Sequence, residues 1–142
     1  MPATVVALHL SQSRRAPLLA VERVNAVLEA GLEGDRHAKP NSRRQLLLVE
    51  QEVLDEFGLA PGAIREQVTV RGLNLGRLVF GARIRVGGAV LEVAGPCHPC
   101  ERMEEIRPGL KQALVGRRGR FVRVVEAGTF AVGDALEVEP PA

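Results

Sequence analysis

The strand pattern of this chain is clearest at residues 82–93, which read ARIRVGGAVLEV. Apolar Ile84 and Val86 alternate with arginines, and this period of two places apolar side chains on one face of a strand. Gly87-Gly88 separates this run from a second one, Ala89–Val93, with the two-residue spacing of a tight β-hairpin. The stretch therefore predicts two antiparallel strands, and the second leads directly into the two cysteines of the chain.

Short strands and glycine-rich turns are predicted along most of the remaining sequence. Strand-like runs lie at residues 4–10, 18–24, 66–70, 121–125, 129–132 and 135–138, and helices are predicted at 50–57 and 109–115. Many short strands with two modest helices are typical of a β-barrel, so the predicted fold class is mainly β with minor α. Because 142 residues make one ordinary domain, we expect residues 1–142 to form a single domain.

Composition limits the classes of function. The sequence has no long apolar run and no visible signal peptide, so we expect no membrane span and a cytoplasmic protein with free thiols. The 19 basic residues are all arginines except Lys39 and Lys111. Arginine suits bidentate binding of phosphate or carboxylate, although a general preference for arginine on solvated faces explains the count equally well. With no Trp or Tyr for base stacking, we expect no nucleic-acid partner.

The two cysteines lie together in Gly95-Pro96-Cys97-His98-Pro99-Cys100. Each proline fixes its own φ and restricts the residue before it to extended conformations, so the thiols are predicted to lie on a stiff, non-helical turn. A buried cysteine is otherwise an ordinary small core residue. Two thiols and an imidazole on one such turn favour chemistry at this place.

Three kinds of chemistry are open from the residues alone. A C-x-x-C redox pair normally opens a helix in a βαβ unit, whereas the context here is β. A structural zinc site needs two ligands beyond the cysteines, and His37 would have to fold over the turn. In the third, one cysteine is a soft metal ligand or sulfur nucleophile, and arginines from distant loops hold an anionic small molecule.

A succession of weak motifs, taken in order, resembles the MOSC domain. These motifs are Gly31-Leu32-Glu33-Gly34-Asp35-Arg36-His37, Arg44-Gln45-Leu46, Pro61-Gly62 with Arg65-Glu66, residues 78–84, Pro99-Cys100, Arg117-Arg118-Gly119 and Gly133-Asp134. The MOSC domain is the C-terminal domain type of molybdenum cofactor sulfurases, and it also occurs as small standalone bacterial proteins and in mitochondrial amidoxime-reducing components. The resemblance covers nearly the whole chain and implies a MOSC-type β-barrel.

The resemblance also implies a cofactor site. In the family a cysteine binds the molybdenum of a pterin cofactor or carries sulfur as a persulfide, and the matching residue is Cys100, with His98 beside it. Arg36 would hold the anionic part of the cofactor, while Arg65 and Gln67 would line the pterin pocket.

Other positions match the family less closely. The loop that holds Ser11, Ser13, Arg14 and Arg15 is where such proteins often place a serine and a basic residue, and we include Ser13 and Arg14 among the candidate cofactor-binding residues. The family usually has asparagine where this chain has Gln67. Cys97 is not part of the family pattern, and it either packs in the core, the interpretation we favour, or acts as a resolving thiol.

The implied function is therefore molybdenum cofactor binding through Cys100. The chain would act as a reductase of N-hydroxylated compounds or as a sulfur carrier, and a non-catalytic module that delivers cofactor or sulfur is the alternative. No flavin, haem or iron–sulfur motif is present, so a reductase would need an electron-donor protein, and a carrier would need a sulfur donor.

Overall fold

The computed structural model describes residues 3–42 and 44–140, and its main feature is a closed barrel of seven β-strands. The strands of the molecule are β1 (Ala3–Leu10), β2 (Leu19–Val21), β3 (Arg23–Val27), β4 (Gly31–Leu32), β5 (Leu46–Glu50), β6 (Val68–Arg71), β7 (Arg83–Val86), β8 (Ala89–Pro96), β9 (Arg120–Glu126), β10 (Gly128–Ala131) and β11 (Ala135–Glu139). Around the barrel the order is β1-β6-β5-β9-β8-β7-β11, and the pairing of β11 with β1 closes it. The mainly β prediction is confirmed.

Two smaller elements extend the barrel. Strand β2 pairs with the outer half of β1, and β10, β3 and β4 form a separate three-stranded antiparallel sheet. The single strand predicted at residues 18–24 is in fact two strands, β2 and β3, which separate at Glu22 and join different sheets. The short strand β4 lies at the start of the glycine-rich motif of residues 31–37, for which no strand is predicted.

The hairpin predicted at residues 82–93 is confirmed. Arg83 pairs with Glu92 and Val86 with Ala89, which leaves Gly87-Gly88 as the two-residue turn. Gly87 has φ +54°, and a Cβ atom at this residue would lie 2.5 Å from the Thr129 carbonyl oxygen, so only glycine fits. Strand β8 continues beyond the predicted end at Val93 to Pro96 and so delivers the chain to the cysteine turn.

The molecule has three short α-helices among the described residues, one more than predicted. Helix α1 (Gln51–Glu56) and helix α3 (Leu110–Ala113) lie within the predicted segments, and a 3₁₀ turn covers Leu75–Arg77. The additional helix is α2 (Glu101–Ile106), which begins directly after Cys100. Only one of its six side chains, that of Met103, is buried. The segment therefore has too little apolar periodicity for the sequence to predict a helix there. The cysteine pair therefore does precede a helix, contrary to the wholly β context that the sequence indicates.

Strand β5 is buried on both faces and divides the core into two clusters. Leu46 and Leu48 point into the barrel, whereas Leu47 and Val49 pack outside it against residues of the three helices. This double burial explains why β5 is continuously apolar instead of alternating. Cys97 packs against the outer cluster, so the cysteine turn lies over the helical side of the barrel. No helix within the described ranges is both long and apolar enough to cross a membrane.

Candidate functional site

The glycine-rich loop after β4 is held to the barrel by Asp35. Its carboxylate accepts hydrogen bonds from the Ser11 backbone N–H at 2.6 Å, from the His37 backbone N–H at 3.0 Å and from Gln67 Nε2 at 3.3 Å. Burial alone would raise the pKa of this carboxyl, but the hydrogen bonds from His37 and Ser11 outweigh it and hold the pKa of Asp35 below its ordinary value. Three distant segments therefore meet at one buried anion.

Two predicted arginines converge on the same loop junction. Arg36 Nε lies 3.2 Å from Ser11 Oγ, and Arg65 Nη2 lies 3.5 Å from the same oxygen. Arg65 also donates to the Ala16 carbonyl at 2.7 Å and adopts φ +70°, a left-handed conformation that is rare outside glycine and asparagine. Burial and the positive charges of Arg102 and Arg36 lower the pKa of the Arg65 guanidinium. The Asp35 carboxylate opposes this shift only in part, so the like charges have the larger effect.

The remaining predicted pocket residues differ in their surroundings. Gln67 is 4% exposed, and its amide is engaged by the Leu47 N–H, which donates to Oε1 at 2.9 Å, and by Asp35 and His37. It therefore holds the loop in place and does not present its amide to an open pocket. Ser13 and Arg14 lie exposed on the loop, outside the cluster of Ser11, Arg36 and Arg65.

The two thiols of the cysteine turn have unequal environments. Both are free; Cys97 is half-buried, and Cys100 is exposed, as is His98. The Cys97 N–H donates to the Gly119 carbonyl at 3.1 Å, which continues the β8–β9 contact into the turn. Burial raises the pKa of the Cys97 thiol, and the nearby Arg118 charge opposes this shift only in part.

Helix α2 connects the cysteine turn to the arginine cluster. Arg102, two residues after Cys100, lines a cavity of about 470 Å³ together with Arg65, and Glu105 of the same helix binds Arg15 on the first loop at 3.0 Å. Cys97 and His98 line a second cavity of about 450 Å³, on the other side of Cys100 in sequence. The turn therefore lines one cavity and α2 lines the other, which contains the predicted Arg65; Cys100 itself lines neither of them.

A zinc site is not formed by the described residues. Among them, no group of three or more His, Cys, Asp and Glu side chains is placed to hold a metal ion. His37, the ligand that such a site requires, is bound to Asp35 at 3.2 Å and lies 3.2 Å from Gln67 Nε2.

Two further arginines near these residues are not among the predicted site residues. Arg118 is 5% exposed, donates to the Ile64 carbonyl at 2.5 Å and has no partner at Nε or Nη1 within the described part of the chain. Arg102 lies on the helix that the sequence does not predict. Arg118 stands in the Arg117-Arg118-Gly119 motif of the resemblance, which gives it no role, whereas Arg102 carries no signal that separates it from a solvated surface residue. The sequence indicates the buried Asp35 only as a member of the glycine-rich motif of residues 31–37.

These features define a small β-barrel protein with an exposed cysteine on a turn and a separate cleft lined by Arg65 and Arg102. The chain belongs to the MOSC family, because the family model for the MOSC domain matches residues 33–137. This family is commonly associated with molybdenum cofactor binding. No curated protein matches the chain in sequence.

Solved structures share the fold at low sequence identity. YuaD from Bacillus subtilis is 22% identical with a TM-score of 0.81, and the alignment covers 100% of this chain and 98% of that one. YiiM from Geobacillus stearothermophilus is 20% identical with a TM-score of 0.78, covering 97% of this chain and 75% of that one. YiiM from Escherichia coli is 21% identical with a TM-score of 0.72, covering 98% and 71%.

Proposed function

We propose that this chain binds the molybdenum–pterin cofactor, with Cys100 as the thiolate ligand of the metal and Arg36 and Arg65 holding the anionic part. The observation that carries the proposal is the convergence of Arg36 and Arg65 on Ser11 Oγ. Burial and the charges of Arg102 and Arg36 lower the pKa of Arg65, and the Asp35 carboxylate opposes this shift only in part, so a bound anion would relieve the remaining repulsion.

The donor set fits the cofactor chemically. Guanidinium forks match phosphate oxygens, and thiolate is a ligand suited to a soft, covalently bound metal. Cys100 is exposed, so its sulfur is accessible to a ligand without unfolding the outer core cluster. When bound, the cofactor supplies two-electron oxidation and reduction at the metal.

The chain's own residues would bind and orient the cofactor. Asp35 and Gln67 fix the loop that carries Arg36, and their mutual hydrogen bond at 3.3 Å keeps this scaffold buried. His98 lies next to Pro99 and Cys100 on the turn and is exposed, which allows it to donate to or accept from a group beside the thiolate. The cavity lined by Cys97 and His98 has room for a small substrate.

The first candidate activity is reduction of small N-hydroxylated compounds, whose substrate this second cavity would hold. Such a reductase takes its electrons from a partner protein, because the sequence carries no flavin, haem or iron–sulfur motif. The second candidate is sulfur carriage as a Cys100 persulfide, and the exposure of that thiol favours it. A cytoplasmic location suits both, since a reducing compartment keeps the two thiols free. A non-catalytic delivery module needs the same binding residues but no turnover.

The test is turnover with a chemical electron donor. Protein from cofactor-competent cells is incubated with reduced viologen and an N-hydroxylated amidine, and amidine formation is measured for the wild type, Cys100→Ala and Cys97→Ala. We expect activity in the wild type and Cys97→Ala and none in Cys100→Ala. Equal activity in Cys100→Ala contradicts the ligand role, and a molybdenum-loaded wild type without turnover favours carriage or delivery over reduction.

A further inference from the structure

One cavity of the molecule contains a carboxyl group to which the proposed function gives no role. The cavity of about 450 Å³ that Cys97 and His98 line is also bounded by the 3₁₀ turn and by the start of β9. Glu50, the last residue of β5, is the one carboxylic acid in its lining as far as the described residues go. The volume is within the range of small-molecule sites, so a ligand held there would lie against Glu50.

The Glu50 carboxyl group has a fixed orientation. The backbone N–H of Leu75 donates to its Oε1 atom at 2.6 Å, and Leu75 is itself buried. This bond makes Oε1 the acceptor oxygen. In the protonated acid the proton is therefore on Oε2, from which it can be donated to a ligand.

The two arginines of the lining are bound to other groups. Arg117 donates from Nη2 to Glu56 Oε1 at 3.0 Å, and Arg120 donates from Nε to the Leu75 carbonyl at 3.1 Å. Neither forms an ion pair with Glu50, and no other cation within residues 3–42 and 44–140 does so. A carboxyl group without a paired cation is held less strongly in its charged form.

Burial acts in the same direction. It is the main cause that raises the pKa of Glu50 above its ordinary value of 4.5, and the charge of Glu52 adds to this effect. The hydrogen bond from Leu75 and the charge of Arg117 oppose it only in part. A glutamic acid in these surroundings keeps its proton to higher pH, which suits a general acid.

We infer that Glu50 contacts the substrate in this cavity and donates its Oε2 proton to the oxygen that leaves when an N-hydroxylated amidine is reduced. The inference deepens the proposed function and rests on it for the reaction. The N–O bond breaks as two electrons arrive from the electron donor, the proton of Glu50 converts the leaving oxygen to water, and a proton from solvent adds to the nitrogen. Solvent then restores the proton of Glu50.

Glu50→Gln tests this role, because glutamine keeps an acceptor for the Leu75 N–H but has no acid proton. Glu52→Gln is the matched control: Glu52 is exposed, lies outside the cavity lining and accepts the Gly72 N–H at 2.8 Å. Both are assayed with reduced viologen and benzamidoxime. We expect kcat to fall by roughly tenfold or more in Glu50→Gln, with KM within about threefold of the wild type, and to stay within about twofold in Glu52→Gln.

The pH profile of kcat separates proton donation from a merely structural effect. Deprotonated Glu50 cannot donate, so the wild-type kcat should decline as the pH rises through the pKa of Glu50, and Glu50→Gln should lack this decline. Cys97 and His98, the other titratable groups of the lining, are present in every variant compared. Any titration of benzamidoxime itself is likewise common to all three proteins.

A readout without turnover uses the full chain, benzamidoxime as the probe and carbon NMR of isotopically labelled glutamate carboxyl groups. The Glu50 signal is identified by its loss in Glu50→Gln, and the Glu52 signal by its loss in Glu52→Gln. We expect saturating probe to shift the Glu50 signal and to raise the pH at which it titrates, since a hydrogen bond from the protonated acid stabilises that form. The Glu52 signal should not change.

The outcomes separate this role of Glu50 from the proposed function. A shifted Glu50 signal together with the loss of kcat in Glu50→Gln supports both. A shifted signal in a molybdenum-loaded protein without turnover supports the contact but contradicts reduction as the function. An unshifted Glu50 signal overturns the inference. Wild-type kcat and pH dependence in Glu50→Gln also overturn it, and they leave the proposed reduction intact.

Discussion

The Asp35 Oδ1 atom accepts a 2.6 Å hydrogen bond from the Ser11 backbone N–H, 24 positions earlier in the chain. This bond ties the glycine-rich loop to the end of β1, and it fixes the place where Arg36 and Arg65 meet. The position of the arginine cluster therefore depends on a buried carboxylate.

The first prediction concerns the acid stability of this junction. The pKa of Asp35 is lower in the folded protein than its ordinary value of 3.8, so its stabilising contribution is complete above that value and is lost as the pH falls through the folded pKa. Asp35→Asn should lower the free energy of unfolding by about 1–3 kcal/mol at neutral pH and flatten its decline below about pH 4. Urea unfolding at a series of pH values measures both effects.

Asp55→Asn is the control for this experiment, because Asp55 is exposed and its side chain is bonded, among the described residues, only to Gln51 on its own helix α1. It should keep the wild-type dependence on pH. If the free energy of unfolding declines in the same way at acid pH in Asp35→Asn and Asp55→Asn, Asp35 is not the group that holds the loop.

The second prediction concerns Gly119, which lies between Arg118 and β9. Its φ is +110°, and a Cβ atom there would lie 2.2 Å from the Leu48 carbonyl oxygen. Gly119→Ala should destabilise the protein by about 3 kcal/mol, because both the strained φ and the backbone clash must be relieved. Gly116→Ala is the matched control: its φ is +77°, but nothing lies within 4 Å of the added atom.

Thermal unfolding of these two variants distinguishes the causes. Gly116→Ala carries the conformational strain alone and should cost about 1 kcal/mol. Similar losses in the two variants would mean that the contact with Leu48 has little effect. If Gly119→Ala destabilises the protein more than Gly116→Ala does, Cys97 should also become more exposed, because its backbone N–H is bonded to the Gly119 carbonyl.

The third prediction is unequal reactivity of the two thiols. Cys100 is exposed, whereas burial raises the pKa of Cys97 and reduces its thiolate fraction at neutral pH. Iodoacetamide should therefore modify Cys100 on the order of ten times faster than Cys97, as measured by peptide mass spectrometry over time. Faster modification of Cys97, or equal inertness of both thiols, is incompatible with an accessible Cys100.

Local sequence patterns predict single strands and tight turns, because neighbouring residues determine these elements. The hairpin at 82–93 follows from period-two alternation and a glycine pair, and both features remain in the structure. Barrel closure does not follow from any local pattern, because Ala3 pairs with Leu136 from the other end of the chain. Helix α2 is too short for its periodicity to be recognised, and its acidic residues do not distinguish it from a solvated loop.

Some residues of the candidate site can likewise be predicted from the sequence, and others only from the structure. Cys100 and Arg36 stand in short motifs of unusual residue types, so the sequence alone indicates them. Arg102 becomes relevant only when α2 brings it to the cavity that Arg65 also lines. Gln67 belongs to the motif region, but its surroundings show that it supports the loop, and residue type could not have separated that role from binding.

Molybdenum content per chain tests the central claim most directly. Wild type, Cys100→Ala and Cys97→Ala are purified from cofactor-competent cells, and metal is measured by elemental analysis against protein concentration. The account predicts molybdenum approaching one atom per chain in the wild type and in Cys97→Ala, and a loss of at least about tenfold in Cys100→Ala, since thiolate coordination is removed. Equal molybdenum in all three proteins, or none in the wild type, would contradict Cys100 as the metal ligand.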